Sequence, residues 1–319
     1  MRAFQFPGTD LTVSPLCFGT AGFGSSIDEK NAHSLLDAYA DAGGRMIDTA
    51  RVYGGGVGEE IIGRWLQNGG RGKVVVATKG GHYDHRGFAF SRVTRADVFA
   101  DVETSLRLLH TDTIDFYWLH RDNTALPVAE IAGFMNDLVR AGKIRYWAIS
   151  NWEQNRAAEA YALGAKAVSN RFSLAKVPSD GRADQNGLVA TDDDFYRFHR
   201  ESGLPLVPYS ALAFGFFEKL VHAEAFVQDE TIVCDTARIA PSLLSSLGTP
   251  ENARRFQNLT RLCAETGRTV TDYTVGFHLA QPFPDIPVIA ARTADQLLPL
   301  LAACEHPISR EELAILTAK

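Results

Sequence analysis

The sequence predicts a closed (β/α)8 TIM barrel, on three observations. Short runs rich in β-branched and aromatic residues alternate eight times with longer amphipathic stretches. The short runs are apolar throughout, as parallel strands buried on both faces must be. The chain has 319 residues, enough for the roughly 250 that eight strand–helix units require. The rival, an open doubly wound sheet, should carry G-x-G-x-x-G directly after its first strand. Here that strand runs into FGTAGFG, which spaces Gly19, Gly22 and Gly24 as G-x-x-G-x-G.

The elements follow in order. Residues 1–15, MRAFQFPGTDLTVSP, read as two short strands around a PGTD turn, a hairpin able to cap the barrel bottom. LCFGT (16–20) leads to a helix near 28–42, RMIDT (45–49) to one near 58–67, and KVVVATK (73–79) to one near 94–109. TIDFYWLH (113–120) leads to a helix near 127–141, IRYWAIS (144–150) to one at 153–163, and AVSNRF (167–172) to one at 192–202. PLVPYS (205–210) precedes a long stretch, 213–250, and then a helix near 251–267; IPVIAAR (286–292) leads to a helix near 294–303. Asp28, Thr94, Thr191 and Thr293 stand where helix N-caps are needed. AGG (42–44) and AGK (141–143) place glycine just past a helix end. The acidic run 192–194 suits a helix N-terminus. Residues 213–250 show no period and are too long for an ordinary connection, which marks a lid or binding loop. No low-complexity linker interrupts the chain, so residues 1–319 are expected to form one domain.

Composition excludes several classes. Hydrophobic residues at 45% and charged residues at 22% suit a globular protein. The net charge is −6 with no Lys/Arg block, which tells against a nucleic-acid partner. The longest apolar region, 203–217, is broken by two prolines and falls short of a membrane span. No basic-then-apolar leader opens the chain, and Cys17, Cys234, Cys263 and Cys304 form no CxxC pair. Reduced thiols and a cytoplasmic location are therefore expected.

In such a barrel the chemistry gathers where strands end at their carboxyl side. Asp48 closes the second strand and Tyr53 follows on its loop. Lys79 closes the third, His120 the fourth, Ser150 and Asn151 the fifth. Asn170 lies on the sixth, Tyr209 and Ser210 end the seventh, and Arg292 follows the eighth. Taken singly, each has a commoner structural role: a cap, rim packing or a surface ion pair. Four of them together form one device. Lys79, on an otherwise apolar strand, is expensive to bury as a bare cation, and Asp48 one strand away can balance it. The ammonium should lower the Tyr53 phenol by roughly 1–3 units from its ordinary value of about 10. The expected result is a tyrosine that keeps its proton at neutral pH and gives it up readily, as a general acid must. His120 can hydrogen-bond the same reacting oxygen. H-E-x-x-H, G-x-S-x-G and the P-loop pattern are absent from the sequence. His82 and His85, three apart in GGHYDHRG, read as a solvated loop and not as metal ligands.

The stretch MIDTARVYGGGVGEEIIGRWL (46–66) resembles the signature of the aldo-keto reductase superfamily, with Asp and Tyr five apart ahead of a glycine loop and a helix. VVVATKGG resembles its lysine strand, LLHTDTIDFYWLHR the segment that delivers its histidine, LVRAGKIRYWAISNW its cofactor-amide strand, and LPLVPYSALAFGFF its tyrosine–serine loop. The resemblance covers essentially the whole chain. It implies a (β/α)8 barrel, a tetrad of Asp48, Tyr53, Lys79 and His120, and hydride transfer from a reduced nicotinamide to an aldehyde or ketone. It also implies Ser150, Asn151 and Asn170 at the carboxamide and Tyr209 under the nicotinamide ring. Ser210 and Leu212 fall at the pyrophosphate and Arg292 at the 2′-phosphate, with Gly215 and Gln296 also among the cofactor-binding residues. The family more often has glutamine where Asn170 stands, and Ala290, Pro299 and Leu300 depart from its adenosine-site pattern. Arg292 favours NADPH, with NADH left open. Phe23, Trp152 and Phe214 are expected as flat walls, and Arg121, Asp122, Tyr83 and His82 as polar contacts, for a sugar-like small carbonyl substrate; the same set would also accept an aromatic aldehyde. Two alternatives remain: an NAD(P)-dependent sugar dehydrogenase running oxidatively, and a cofactor-sensing subunit with negligible turnover.

Overall fold

A computed structural model describes residues 1–84, 87 and 90–318; His85 lies outside them. Strand β1 (Phe4–Gln5) pairs antiparallel with β2 (Thr12–Val13), forming the N-terminal hairpin. Parallel strands β3 (Cys17–Gly19), β4 (Met46–Asp48), β5 (Val75–Gly80), β6 (Ile114–Leu119), β7 (Ile144–Ser150) and β8 (Val168–Ser169) then line up in chain order. Between them run helices α1 (Glu29–Asp41), α2 (Val57–Trp65), α3 (Arg95–Leu108), α4 (Val128–Arg140) and α5 (Gln154–Ala162), with α6 (Asp193–Ser202) after β8.

The seventh wall position is narrower than the sequence predicts. Residues 205–210 form isolated bridges at Leu206 and Tyr209 and no continuous strand. Pro205 and Pro208 lack the N–H that a ladder needs. The segment still closes the wall: Val207 N donates to Val168 O at 2.8 Å and Ile286 N to Leu206 O at 2.9 Å. The stretch predicted to be irregular, 213–250, holds α7 (Phe216–His222), the hairpin of β9 (Phe226–Gln228) with β10 (Thr231–Val233), and α8 (Pro241–Leu247). Helices α9 (Pro250–Thr266) and α10 (Val270–Leu279) lead to β11 (Val288–Ile289), which pairs with β3 and completes the barrel. Helices α11 (Ala294–Ala302) and α12 (Arg310–Leu316) finish the chain.

Capping side chains start the helices where the sequence places them, with one exception. Asp28, Thr94 and Thr293 accept from the backbone N–H groups of Asn31, Asp97 and Gln296. At α6 the cap is Asp192, which accepts from Phe195 N at 2.8 Å; Thr191 lies one residue too early. Gly43 and Gly142 take the left-handed conformation past α1 and α4, at φ of 87° and 71°.

Strand parity positions the site. On β5, Val75 and Ala77 point into the barrel while Val76 faces the helices, so Lys79 also points inward. On β6, Phe116 and Trp118 point in while Tyr117 and Leu119 point out, so His120 continues the inner row. Met46 and Asp48 share the inner face of β4 by the same rule. The hairpin fills the opposite end: Phe6, Leu11 and Val13 are buried there, and the Phe6 ring lies 5.1 Å from Phe116.

Candidate active site

Chain geometry carries Tyr53 to the rim beside Lys79. Past Asp48 the backbone keeps pairing with β5, with Arg51 N donating to Lys79 O at 2.9 Å. Gly54, Gly55 and Gly56 then take φ of 56°, 69° and 107°, a left-handed run that side-chain-bearing residues resist. A Cβ at Gly54 would also stand 3.0 Å from Phe23 O. These glycines let the chain reverse into α2 immediately after the phenol.

Lys79 is 3% exposed and Asp48 4%. The Lys79 ammonium donates to the Asp48 carboxylate, to Thr49 O at 2.8 Å and to the Tyr53 hydroxyl at 3.4 Å. Burial is the largest influence on Lys79 and works to lower its pKa, but the charges and hydrogen bonds of Asp48 and Tyr53 together outweigh it and hold the ammonium above its ordinary value. The His120 ring stands nearly perpendicular to the Tyr53 ring, with centroids 6.1 Å apart. Its Nδ1 is buried without a partner among the described residues. Burial, reinforced by the Lys79 cation, pushes the imidazole well below its usual pKa, so it is neutral. Tyr53 departs from expectation. Burial raises the phenol by more than Lys79 lowers it, so its pKa lies above the ordinary value.

The rim next to the tetrad is tightly braced. Asn151, at φ of 62°, donates from its side-chain amide to His120 O and Ser150 Oγ and accepts from Val189 N and the Tyr209 hydroxyl. That is the full capacity of an amide side chain. Ser150 Oγ donates to Ser169 O at 2.8 Å. Asn170 is fully buried, accepting from Asn151 N and donating to Trp152 O. These three residues, expected at a carboxamide, bond one another and the backbone, so Asn170 acts as a brace with no surface to offer.

Two expected walls are absent for a similar reason. Phe23 and Trp152 have no exposed surface: Phe23 packs on Phe18 at 6.2 Å, and the Trp152 indole donates to Arg121 O. Asp122 is engaged by Arg156 through two hydrogen bonds, of 2.6 and 2.9 Å. What faces outward is Arg121, His82, Tyr83 and Phe214. Arg121 has no acidic partner among the described residues; it donates to His120 O at 2.8 Å and lies over the Tyr83 ring at 5.3 Å. His82 meets the His120 ring edge-on at 4.7 Å. Phe214 is 70% exposed at φ of 57°. None of this burial or pairing is legible in residue type or spacing.

The remaining groups fit a nicotinamide nucleotide in part. Tyr209 is fixed by its 2.6 Å bond to Asn151, which steadies its ring at the rim. Ser210, Ala213 and Phe214 have positive φ, a strained backbone of the kind that gathers at ligand sites, and Gly215 follows in the same left-handed region without strain. Arg292 is exposed with no carboxylate partner among the described residues, and its backbone N donates to Gln296 Oε1 at 2.9 Å. Leu300, where an adenine-binding asparagine is common, is buried in the core and offers nothing polar. Among the described residues there is no cluster that could hold a metal ion and no helix long and apolar enough to cross a membrane.

The fold and the rim define a class, that of barrel enzymes whose titratable groups gather at the strand ends. Comparison with known proteins gives the family. The chain belongs to the aldo/keto reductase family, whose model matches residues 15–319. It is an enzyme of the oxidoreductase class, and the family works with nicotinamide cofactors. YrpG of Bacillus subtilis, an uncharacterised oxidoreductase, is 30% identical over 97% of this chain and 92% of its own. The NADP(+) aryl-alcohol dehydrogenase of Phanerodontia chrysosporium is 25% identical over 97% of this chain and 83% of its own. The glycerol dehydrogenase structure from Gluconobacter oxydans superposes with a TM-score of 0.77 over 98% of this chain and 93% of that one. At 23% identity this is a likeness of fold.

Proposed function

We propose that the chain is an NADPH-dependent carbonyl reductase acting on a small, sugar-like aldehyde or ketone, with Tyr53 as the general acid. The observation that carries this reading is the buried Lys79 ammonium, which touches the Asp48 carboxylate on one side and the Tyr53 hydroxyl at 3.4 Å on the other. A bound reduced nicotinamide supplies the hydride. Negative charge then grows on the substrate oxygen, and groups already aimed at it do the work. Tyr53 donates its proton to that oxygen, and Lys79 stabilises the phenolate left behind. Asp48 keeps Lys79 charged and in place. Neutral His120 donates a hydrogen bond to the same oxygen without competing as an acid. Because burial raises the Tyr53 pKa, the proton stays on the phenol until the reacting oxygen becomes basic.

Tyr209 would stack on the nicotinamide, and the backbone of Ser210, Leu212 and Gly215 would meet the diphosphate. Arg292 would clamp a 2′-phosphate, a charge-assisted contact suited to guanidinium, with Gln296 fixing the backbone behind it. A carboxamide would reach Ser150 or Asn151 only by exchanging one of their present bonds. Arg121, His82, Tyr83 and Phe214 combine flat faces with one unpaired cation, which suits a substrate bearing hydroxyls. Four free cysteines suit a reducing, cytoplasmic setting.

The oxidative direction is the second reading, favoured by the name of one relative, the NADP(+) aryl-alcohol dehydrogenase. Initial rates in both directions, with NADPH and NADH, on aldoses, glyceraldehyde, glycerol and aryl aldehydes decide between them. The proposal expects faster reduction with NADPH. Faster oxidation of the paired alcohols at neutral pH would favour the dehydrogenase. Bound cofactor without turnover on any member would indicate a sensing role.

A further inference from the structure

One buried pair stands apart from the tetrad. His278, near the end of α10, and Asp285, where the chain re-enters the barrel wall, have fully buried side chains. The imidazole Nδ1 lies 2.8 Å from Asp285 Oδ2, and Nε2 lies 3.0 Å from the carbonyl oxygen of Ala211. The Phe172 and Phe277 rings meet the imidazole at steep angles, with centroids 5.7 and 5.1 Å away.

The proton count is fixed by these partners. A carbonyl oxygen only accepts, so Nε2 must carry a proton. An ionised carboxylate also only accepts, so Nδ1 carries one too; a protonated carboxyl would instead donate to Nδ1. Either way the pair holds two protons, and losing one breaks a bond among buried groups. Asp285 Oδ1 is buried without a partner among the described residues, and burial raises its pKa despite the neighbouring histidine. Both facts favour keeping the second proton in the pair.

The histidine grips the start of the strained run. Ala211 is 1% exposed and lies between Ser210 and Leu212. Beyond it, the bonds Ala213 N to Ser210 O and Gly215 N to Leu212 O are both local, at 2.8 Å. Left-handed φ at Ser210, Ala213 and Phe214 needs restraint from outside the loop. Asp285 supplies the anchor, because Pro284 O and Ile286 N on either side of it bond Leu206 N and O in the barrel wall.

We infer that the Asp285–His278 pair positions the cofactor loop. It holds the Ala211 carbonyl, and through it the Ser210–Gly215 backbone, in the shape that receives the nucleotide diphosphate. This rests on the reading of 210–215 as the cofactor loop. His278 and Asp285 are positioning residues and touch no reacting atom.

The test is NADPH titration of the full chain by fluorescence, beside steady-state kinetics and thermal melts. His278→Leu removes the tether and should weaken NADPH about tenfold, the scale of one lost hydrogen bond to a charged group. KM for the carbonyl substrate should stay within about twofold of wild type, a split that general destabilisation would not produce. Asp285→Ala should resemble it. Asp285→Asn can donate to Nδ1 of a neutral imidazole, which keeps the Nε2 bond to Ala211; its affinity should return to within about threefold of wild type. If His278→Leu does not fold, the contrast between the two Asp285 variants decides. Wild-type affinity in His278→Leu or Asp285→Ala, or an Asp285→Asn loss equal to that of Asp285→Ala, overturns the inference alone. A wild-type chain that binds neither NADPH nor NADH overturns the cofactor-loop reading beneath it.

Discussion

At the scale of single residues, the proposed acid is governed by two opposed effects on Tyr53. Burial raises the phenol's pKa and the Lys79 cation lowers it, and burial is the larger. The reductive step needs the protonated form, and a raised pKa keeps that form filled as pH increases. Reductive kcat should therefore be level from about pH 6 to 9 and fall only above the ordinary phenol value of about 10. Oxidation needs the phenolate and should rise with pH over the same range. His120, pushed well below its usual value, should contribute no limb near 6.5, and a reductive limb there would assign the proton to His120. At the other end of the nucleotide site, Arg292→Ala should weaken NADPH by roughly 10- to 100-fold and leave NADH nearly unchanged. Equal weakening of both would remove Arg292 from the 2′-phosphate. The gathering of Asp48, Tyr53, Lys79 and His120 at one rim was legible because strand-end position and charge compensation are properties of sequence pattern. The burial of Phe23 and Trp152 and the bracing role of Asn170 were not, because they depend on which long-range neighbours fill the available space.

At the scale of elements, the legible ones were those with strong local signals. Strands β4 to β7 read directly from continuous apolar runs, and α1 and α3 from a cap followed by an amphipathic repeat. The segment 205–210 has the composition of a strand, but its two prolines reduce it to bridges. Helix α10 was missed because most of its residues are buried, leaving no polar face to set a period. Helices α7, α8 and α12 are seven residues each, too short for periodicity to stand out. The N-terminal hairpin was legible, and its packing gives a clean test. Phe6 is fully buried against Phe116 at the barrel bottom, away from the strand ends that carry the tetrad. Phe6→Ala should cost about 3–5 kcal/mol in urea unfolding while kcat of the folded fraction stays near wild type. A large fall in kcat at unchanged stability would show that the hairpin shapes the site directly.

At the scale of the whole molecule, buried histidines make stability depend on acid, and His199 adds to the contribution of His120 from outside the tetrad. His199 is fully buried, its ring stacked on Phe195 at 4.9 Å and Phe283 at 5.3 Å. Its Nδ1 donates to Leu204 O at 2.7 Å, and Nε2 has no partner among the described residues. Burial lowers its pKa to about 4 from 6.5. The unfolded chain therefore binds the proton first, and stability falls as pH drops from about 6.5 toward 4, by roughly 3 kcal/mol in total. His199→Phe should make that part of the profile shallower than wild type in denaturant titrations at each pH, leaving the share that buried His120 contributes. A parallel profile in the variant would assign the acid sensitivity to other groups.

The central claim, that Tyr53 is the proton donor and Lys79 stabilises the phenolate it leaves, is tested most directly by single-turnover reduction in Tyr53→Phe preloaded with NADPH. The variant keeps the ring and removes the hydroxyl. The account predicts NADPH affinity close to wild type and a chemical step slowed by about 100-fold or more. A single-turnover rate within a few-fold of wild type, with cofactor bound, would contradict it.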